Sequence, residues 1–175
     1  MPTTAPDATP SISVETSQGN IGLTLDGTKF RTVNSFVSLA QQDYFNDTTC
    51  HRMTTRAPRS RCCSGDPSGT GTGGPGYGFD NEFPTTAYST TDPAAQEPVT
   101  YARGTVAMAN TGHPVATAAS SSSSTATHNS PQYTVFGTID ETGLATLDKV
   151  AAGGSTPEGD GKPNLTTDIK TVRLD

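Results

Sequence analysis

His51 and Arg52 are adjacent side chains that could do chemistry, and a glycine-rich segment, GDPSGTGTGGPGYG, follows them at residues 65–78. An arginine guanidinium stays charged and presents several N–H donors in a fixed planar fork. Such a group can stabilise an electron-rich atom in a strained intermediate without transferring a proton. An isolated pair of this kind is more often a solvated surface feature, so the surrounding sequence has to decide its role.

Two other kinds of site are weaker candidates. The stretch GTGTGGPG resembles a phosphate-binding loop, but it lacks the following Lys-Ser/Thr and no helix is predicted after it. A shaped wall of a groove suits it better. The residues that could bind a metal do not recur at zinc-site spacing; they are Cys50, Cys62, Cys63, His113 and His128. The sequence therefore predicts neither a metal nor a cofactor.

Composition limits the possible partners. The chain has 175 residues, which suits one domain. Only 31% of them are hydrophobic, and the net charge of −6 would repel nucleic acid and anionic membrane surfaces. Three cysteines cannot all pair within one chain, which argues against a disulfide framework. We expect no nucleic-acid partner and no membrane contact.

The first residues have no targeting features. Residues 1–10 are rich in Pro, Thr and Ala, without the basic and apolar regions of a signal peptide. We predict a disordered lead over residues 1–10, one domain over residues 11–175, and a cytoplasmic location. The alternative is a linker remnant from a longer precursor that is exported or membrane-anchored.

Hydrophobic periodicity predicts mostly strands. Residues 11–25 alternate with period two around a turn at Gln18-Gly19-Asn20, which is typical of a β-hairpin. Residues 32–40 repeat apolar side chains at helical spacing. Further strands are predicted at 101–110, 133–139 and 170–174, with a second helix at 142–152. Many short strands with only two helices favour an antiparallel barrel with helical plugs.

Two stretches do not fit a barrel. Residues 56–64, RAPRSRCCS, carry three arginines where a core strand is wanted, and residues 116–130, ATAASSSSSTATHNS, are of low complexity. A disordered insertion is one explanation of the serine run.

Four blocks, in order and spacing, resemble the cyclophilins, especially those of actinobacteria. They are TVNSFVSLAQQDYFNDTTCHRM at 32–53, GDPSGTGTGGPGYGFDNEF at 65–83, GTVAMANTG at 104–112 and YTVFGTID at 133–140. The resemblance implies a mainly β fold, an eight-stranded antiparallel β-barrel capped by two α-helices, with a proline-binding groove on an outer face. It also implies peptidyl-prolyl cis/trans isomerase activity in protein folding, on proline-containing polypeptides and without a cofactor. A cyclosporin-type ligand and a monomeric state are further expectations.

The resemblance also assigns roles to individual residues. His51 and Arg52 match the family's HR pair, in which the arginine is catalytic. Ala109 and Asn110 match the AN whose backbone holds the peptide. Tyr133 stands where many members place a groove-lining histidine, a departure that we do not interpret as loss of function. The glycine-rich loop beside the groove is matched by Gly71, Thr72, Gly73 and Gly74.

Both anomalous stretches depart seriously from the family. Residues 59–63, RSRCC, occupy the place of an apolar strand that ends in Gln. The serine run stands where the family has NGSQFF. As written, the Gln, the pocket Phe and much of the barrel wall are missing.

A reading-frame slip accounts for both departures. With permitted codons, residues 116–130 read in a frame shifted by one base give Asn-Gly-Ser-Gln-Phe-Phe-Leu-Val-Tyr-Gly-Asp-Ser-Gln-Leu. Every Ser encoded by TCN then forces Phe, Leu, Ile or Val. The same shift forces Leu across Cys62-Cys63. We call the chain with both stretches returned to this frame the frame-restored chain.

Three functions therefore compete. The first is a prolyl isomerase. The second is a non-catalytic proline-peptide binding module or inactive pseudo-enzyme, which the chain as written would be if it folded without its pocket. The third, a Ser/Thr-rich adhesion or linker protein, is disfavoured because the ordered blocks match a fold.

Overall fold

The computed structural model describes residues 9–54, 61–63, 66–70, 73–82, 89, 91–97, 99–109, 115–116, 119–121, 127–129 and 133–175. These contain two α-helices, α1 at Phe30–Ala40 and α2 at Glu141–Ala152, and a 3-10 turn at Pro93–Gln96. The strands, in chain order from β1 to β15, are Ser11–Thr16, Gly19–Leu25, Thr48–Thr49, Arg52–Thr54, Arg61–Cys63, Phe79–Asp80, Val99–Tyr101, Thr105–Met108, Val115–Ala116, Ala119–Ser121, Thr127–Asn129, Val135–Ile139, Ser155–Thr156, Asp160–Pro163 and Asp168–Leu174.

One antiparallel sheet dominates the fold. Its strand order is β13-β14-β4-β5-β10-β8-β12-β2-β1-β15-β3. The predicted barrel has eight strands; this sheet has eleven, of which eight run in succession from β4 to β15 and the short strands β13, β14 and β3 lie at its two ends. The predicted mainly β architecture with two helices is confirmed.

The β1–β2 hairpin shows why period-two patterning predicted the sheet well. Ile12 and Val14 on β1 face the core with Ile21, Leu23 and Leu25 on β2, and each is at most 8% exposed. Thr16 pairs with Gly19, so the turn lies at residues 17–18, slightly before the predicted position. Gly19 has a φ of 144°, a conformation that favours glycine and lets the second strand begin at once.

Helix α1 packs an aromatic cluster onto the sheet. Val33, Phe36 and Ala40 are buried along one face of it, as the predicted periodicity requires. The Phe36 ring stacks on Phe45 at a centroid distance of 4.9 Å and tilts against Phe136 on β12 at 5.3 Å. Such pairs add to the stabilisation that apolar burial alone provides.

Helix α2 is seated on the sheet through its first turn. Asp140 is the N-cap, and its Oδ1 accepts hydrogen bonds from the N–H groups of Gly143 at 2.7 Å and Gly22 at 3.1 Å. A Cβ atom on Gly143 would lie 2.7 Å from the side chains of Ile21 and Ile139. Only glycine allows the helix to approach the sheet this closely.

We expect Asp140→Ala in the frame-restored chain to lower the free energy of unfolding by about 1–2 kcal/mol, because it removes both the cap and the tie to β2. Asp148→Ala, the same substitution at an exposed position of α2, is the matched control. It should change stability by no more than about 1 kcal/mol, since exposed ion pairs contribute little. Chemical denaturation measures both. Equal effects of the two substitutions would contradict the capping role.

Parts of both anomalous stretches lie within the large sheet, and residues 127–129 pair with β7 in a separate two-stranded sheet. β5 pairs with β4 and β10, and β10 pairs with β5 and β8. Residues 119–121 and 127–129 of the serine-rich stretch are strands, which is evidence against a disordered insertion at these positions. Residues 56–60, 117–118 and 122–126 lie outside the described residues.

Cross-strand register defines two neighbouring rows. The first, the outer row, runs through Arg52, Cys63, Ser120, Ala107 and Val135. The second, the inner row, runs through Met53, Cys62, Ser121 and Val106. At the ends of the inner row, Met53 and Val106 are each 2% exposed, whereas Arg52 is exposed. Positions in one row share a face of the sheet, and positions 62 and 121 are in the same row as Met53 and Val106.

Position 61 is in register with Thr54, which is only half-buried, and not with Met53. Arg59 lies outside the described residues.

In the described part of the chain, no helix has both the length and the apolar character needed to cross a membrane.

Candidate active site

Arg52 opens strand β4, directly after His51. The strand alternates from exposed Arg52 to Met53, which is buried in the core, so the guanidinium projects from the outer face of the sheet. Its side chain is 57% exposed. A donor in this position is open to a ligand that approaches from solvent.

The guanidinium of Arg52 is held by a carboxylate that the sequence did not single out. Its Nε donates to Oδ1 of Asp160 and its Nη2 donates to Oδ2, both at 2.7 Å. Asp160 begins β14, which pairs with β4 and places Asp160 opposite Thr54. A paired, two-bond contact of this kind fixes orientation as well as distance.

Asp66 organises the start of the glycine-rich loop. It is 2% exposed, and its carboxylate accepts hydrogen bonds from the N–H groups of Ser68, Thr70 and Gly73 at 2.8–3.2 Å. The Ser68 hydroxyl donates to it as well. A Cβ atom on Gly73 would lie 2.0 Å from Asp66 Oδ1, so this turn needs glycine there. The loop is held by one buried negative charge.

His51 lies within the electrostatic reach of this carboxylate. Burial lowers the pKa of His51; Asp66 opposes that shift and Arg52 adds to it. The imidazole is therefore neutral at neutral pH. Its Nδ1 is buried and has no hydrogen-bond partner.

The segment that continues the loop is tied to the helix and to β12. Glu82 Oε2 accepts a hydrogen bond from the N–H of Thr32 at 3.0 Å, in the first turn of α1. Its own N–H donates to the hydroxyl of Thr134, which in turn donates to the Glu82 carbonyl. The Tyr77 hydroxyl bonds to Ser35 at 2.9 Å. Lys29, the N-cap residue of α1, provides no side-chain cap. Glu82, which follows Thr32 by 50 residues, supplies the hydrogen-bond acceptor instead.

Ala109 and Tyr133 lie at the same end of the β8–β12 pair. The N–H of Met108 donates to the Thr134 carbonyl at 2.9 Å, which sets the residues that flank these two close together. The Tyr133 ring meets Tyr101 edge-on at 5.9 Å, and both Ala109 and Tyr133 are half-buried. Arg52 and Ala107 share the outer row three strands apart, roughly 14 Å at ordinary strand spacing.

Six of the nine predicted site residues are described: His51, Arg52, Gly73, Gly74, Ala109 and Tyr133. The other three, Gly71, Thr72 and Asn110, lie outside the described residues. The structure joins His51, Arg52 and the start of the glycine loop at one place, and Ala109 and Tyr133 at another on the same sheet. Asp66, Asp160 and Glu82 were missed. An Asp followed by Ser and Thr is a turn signal that could have indicated Asp66.

Among the side chains that the structure describes, no three His, Cys, Asp or Glu residues form a possible metal site. Cys50 is disulfide-bonded, which removes it from the candidate metal ligands. A single bridge does not make a disulfide framework of the kind that three cysteines argue against. The pairing of β4 with β5, which carries the other two cysteines, brings the cysteine-bearing segments together. A groove of about 340 Å³ lies elsewhere, over β1, β2, β15 and the start of α2, and none of the predicted site residues lines it.

Comparison with known proteins gives consistent results. The family model "Cyclophilin type peptidyl-prolyl cis-trans isomerase/CLD" matches residues 11–174. A probable peptidyl-prolyl cis-trans isomerase B of Mycobacterium tuberculosis is 52% identical over 167 residues, which is 94% of this chain and 54% of the relative. Its counterpart in Mycobacterium leprae is 50% identical over 173 residues, 96% of this chain and 58% of the relative. The chain thus spans little more than half the length of these relatives.

A solved structure matches along nearly the whole chain. The crystal structure of a cyclophilin type peptidyl-prolyl cis-trans isomerase from Cryptosporidium parvum, in the presence of the dipeptide Ala-Pro, has a TM-score of 0.68 at 22% identity. The match covers 94% of this chain and 98% of that one. At this identity the likeness supports the fold.

Proposed function

Because the chain belongs to the cyclophilin-type peptidyl-prolyl cis-trans isomerase family, we propose that it accelerates rotation about X–Pro bonds in unfolded or flexible polypeptides. The observation that carries the proposal is the placement of Arg52. It projects from the outer face of the sheet, half-exposed and held in one orientation by Asp160, next to His51.

The reaction needs a hydrogen-bond donor and a site that holds the substrate peptide, and it needs no nucleophile. An X–Pro bond rotates over a barrier of about 18–20 kcal/mol because amide resonance is broken as the C–N bond twists. The twisted nitrogen is pyramidal and carries a free lone pair. A donor aimed at that nitrogen stabilises the twisted state more than the planar ground state. Arg52 suits this task because its guanidinium keeps its charge in any position.

The remaining candidate residues would hold the substrate. We assign the peptide backbone to Ala109 and Asn110, and the groove wall to Tyr133 and the loop at residues 71–74. The half-burial of Ala109 and Tyr133 and the anchoring of Gly73 by Asp66 support this assignment. The Ala-Pro dipeptide used with the Cryptosporidium protein is of the same substrate class. A cyclosporin-type ligand, a monomeric state and a cytoplasmic location stay predictions.

The direct test is the rate of cis-to-trans isomerisation of a short peptide that contains Ala-Pro. We expect the frame-restored chain to raise this rate in proportion to protein concentration, well above the uncatalysed relaxation, which takes tens to hundreds of seconds. Line broadening of the proline signals by nuclear magnetic resonance reports binding in the same sample.

Binding without acceleration would instead support the second function, a proline-peptide binding module. A folded protein that neither binds nor accelerates would contradict both functions. Asp148→Ala serves as a control, because Asp148 pairs with Arg103 on the surface, away from Arg52 and Asp160 in the sequence. It should leave the rate unchanged.

A further inference from the structure

We propose that Asp160 is a positioning residue for Arg52, and that strands β13 and β14 support the site by holding Asp160 in place. The inference rests on the proposed isomerase function and assigns a residue that neither the motifs nor the resemblance indicated. Asp160 does not need to touch the substrate in this role. It acts by fixing the direction in which the Arg52 guanidinium presents its donors.

The geometry of the pair determines that direction. A guanidinium is planar, and its Nε–Nη2 edge faces the Asp160 carboxylate in two bonds of 2.7 Å. Nη1 lies in the same plane, opposite that edge, and takes no part in these two bonds. With one edge fixed, neither the tilt nor the rotation of the fork is free.

An exposed arginine needs such a support. Arg52 is 57% exposed, so the core does not pack its long side chain into one rotamer. The rotamer freedom of an arginine side chain corresponds to at most about 30-fold in an equilibrium. If the guanidinium adopted the reactive orientation only part of the time, the rate of isomerisation would fall by part of this roughly 30-fold factor.

Asp160 is itself firmly placed. A Cβ atom on its neighbour Gly161 would lie 2.3 Å from the Thr156 carbonyl. Only glycine at position 161 therefore lets β14 lie this close to β13. Ser155 is buried, and its hydroxyl donates to the Pro157 carbonyl at 3.0 Å. Asn164 closes the segment with a bond from its N–H to the Gly154 carbonyl.

The pairing of β14 with β4 then transmits this placement to the arginine. Asp160 is opposite Thr54 and Gly161 is opposite Met53, whose side chain is buried. The strand that carries Asp160 is therefore fixed to the strand that carries Arg52. A carboxylate on a loose loop could follow the arginine as it moves, whereas Asp160 holds it in place.

The experiment compares Asp160→Asn and Asp160→Ala in the frame-restored chain. A contact that orients a transition-state donor lowers kcat and kcat/KM together. We expect kcat to fall about tenfold in Asp160→Ala, with KM within about twofold of the parent. Asp160→Asn keeps the shape and one acceptor but loses the charge, and should fall between. Asp148→Ala, which removes the carboxylate of another exposed arginine pair, should change neither constant.

A double mutant separates positioning from general damage. In a chain that already carries Arg52→Ala, Asp160→Ala should produce no further loss, because the residue acts through the arginine. Additive losses would overturn the inference. So would a fall in activity accompanied by a lower melting temperature in Asp160→Asn, since that pattern indicates a structural role.

A second readout does not depend on activity. The Nε–H resonance of Arg52, identified by its absence in Arg52→Ala, should shift and exchange faster with solvent in Asp160→Asn. An unchanged resonance would overturn the pairing. A parent that shows the resonance but no isomerase activity would overturn the proposed function and with it the positioning role. An active parent that is unaffected by Asp160→Asn would overturn this inference alone.

Discussion

Arg52→Ala in the frame-restored chain is expected to lower kcat/KM for a proline-containing peptide by at least about 100-fold, the usual effect of losing a transition-state donor. The fall should appear in kcat, because in the proposed mechanism the arginine contacts the amide nitrogen only when the bond is twisted. Circular dichroism and the melting temperature should hardly change. Arg52 is 57% exposed and its partner side chain 41%, so their ion pair adds little to stability.

Two further substitutions sharpen this experiment. Arg52→Lys keeps the positive charge but loses the planar fork, and its activity should lie between those of the parent and Arg52→Ala. Arg103→Ala removes a comparably exposed arginine from its ion pair with Asp148 and should leave the rate unchanged. Activity of Arg52→Ala within a few-fold of the parent would remove this residue from the mechanism.

The elements of the fold were predictable where one face of an element is buried. The alternation of apolar residues in 11–25 gave the first hairpin, and helical spacing in 32–40 and 142–152 gave both helices within two residues. In each case burial of one side imposes a period on the sequence. The very short strands β3, β13 and β14 were not predicted, because two to four residues carry no period.

The supporting residues of the site were harder to find than Arg52 itself. Asp160 lies 108 residues after Arg52, and Glu82 lies 50 residues after Thr32. Sheet register and loop path set these contacts, and neither leaves a mark in local spacing. The bonds of Asp66 to Ser68 and Thr70 span only two and four residues, so that turn could have been inferred from sequence.

Register also changes the argument about the anomalous stretches. The sequence alone suggested that Arg59 or Arg61 would point into the core, at a cost of several kcal/mol for an unpaired charge. Position 61 is in register with half-buried Thr54 and not with buried Met53, so the register gives no support to that argument for Arg61. The positions where the written sequence is unfavourable are instead 62 and 121, which lie between the buried residues Met53 and Val106 in the inner row.

The inner row requires apolar side chains, and the shifted frame provides them. Across Cys62-Cys63 it reads Leu, and around Ser121 it reads Phe on both sides. The restored residues include two Phe, two Leu and a Val within or next to these strands, each worth about 1.5–3 kcal/mol when buried. Together they amount to roughly 8–15 kcal/mol, an upper estimate because unfolded chains already bury some apolar surface. A typical domain has a net stability of only about 5–15 kcal/mol.

We therefore expect the chain as written to be unstable or aggregated and to lack isomerase activity, while the frame-restored chain unfolds cooperatively and is active. Thermal unfolding and isomerase rates of the two proteins measure the difference, and chains with only one stretch restored should have intermediate stability. Nucleotide sequencing across codons 54–66 and 114–132 tests the slip itself. A sharp unfolding transition with full activity from the chain as written would contradict the slip, because small and polar residues would then fill the inner row without loss.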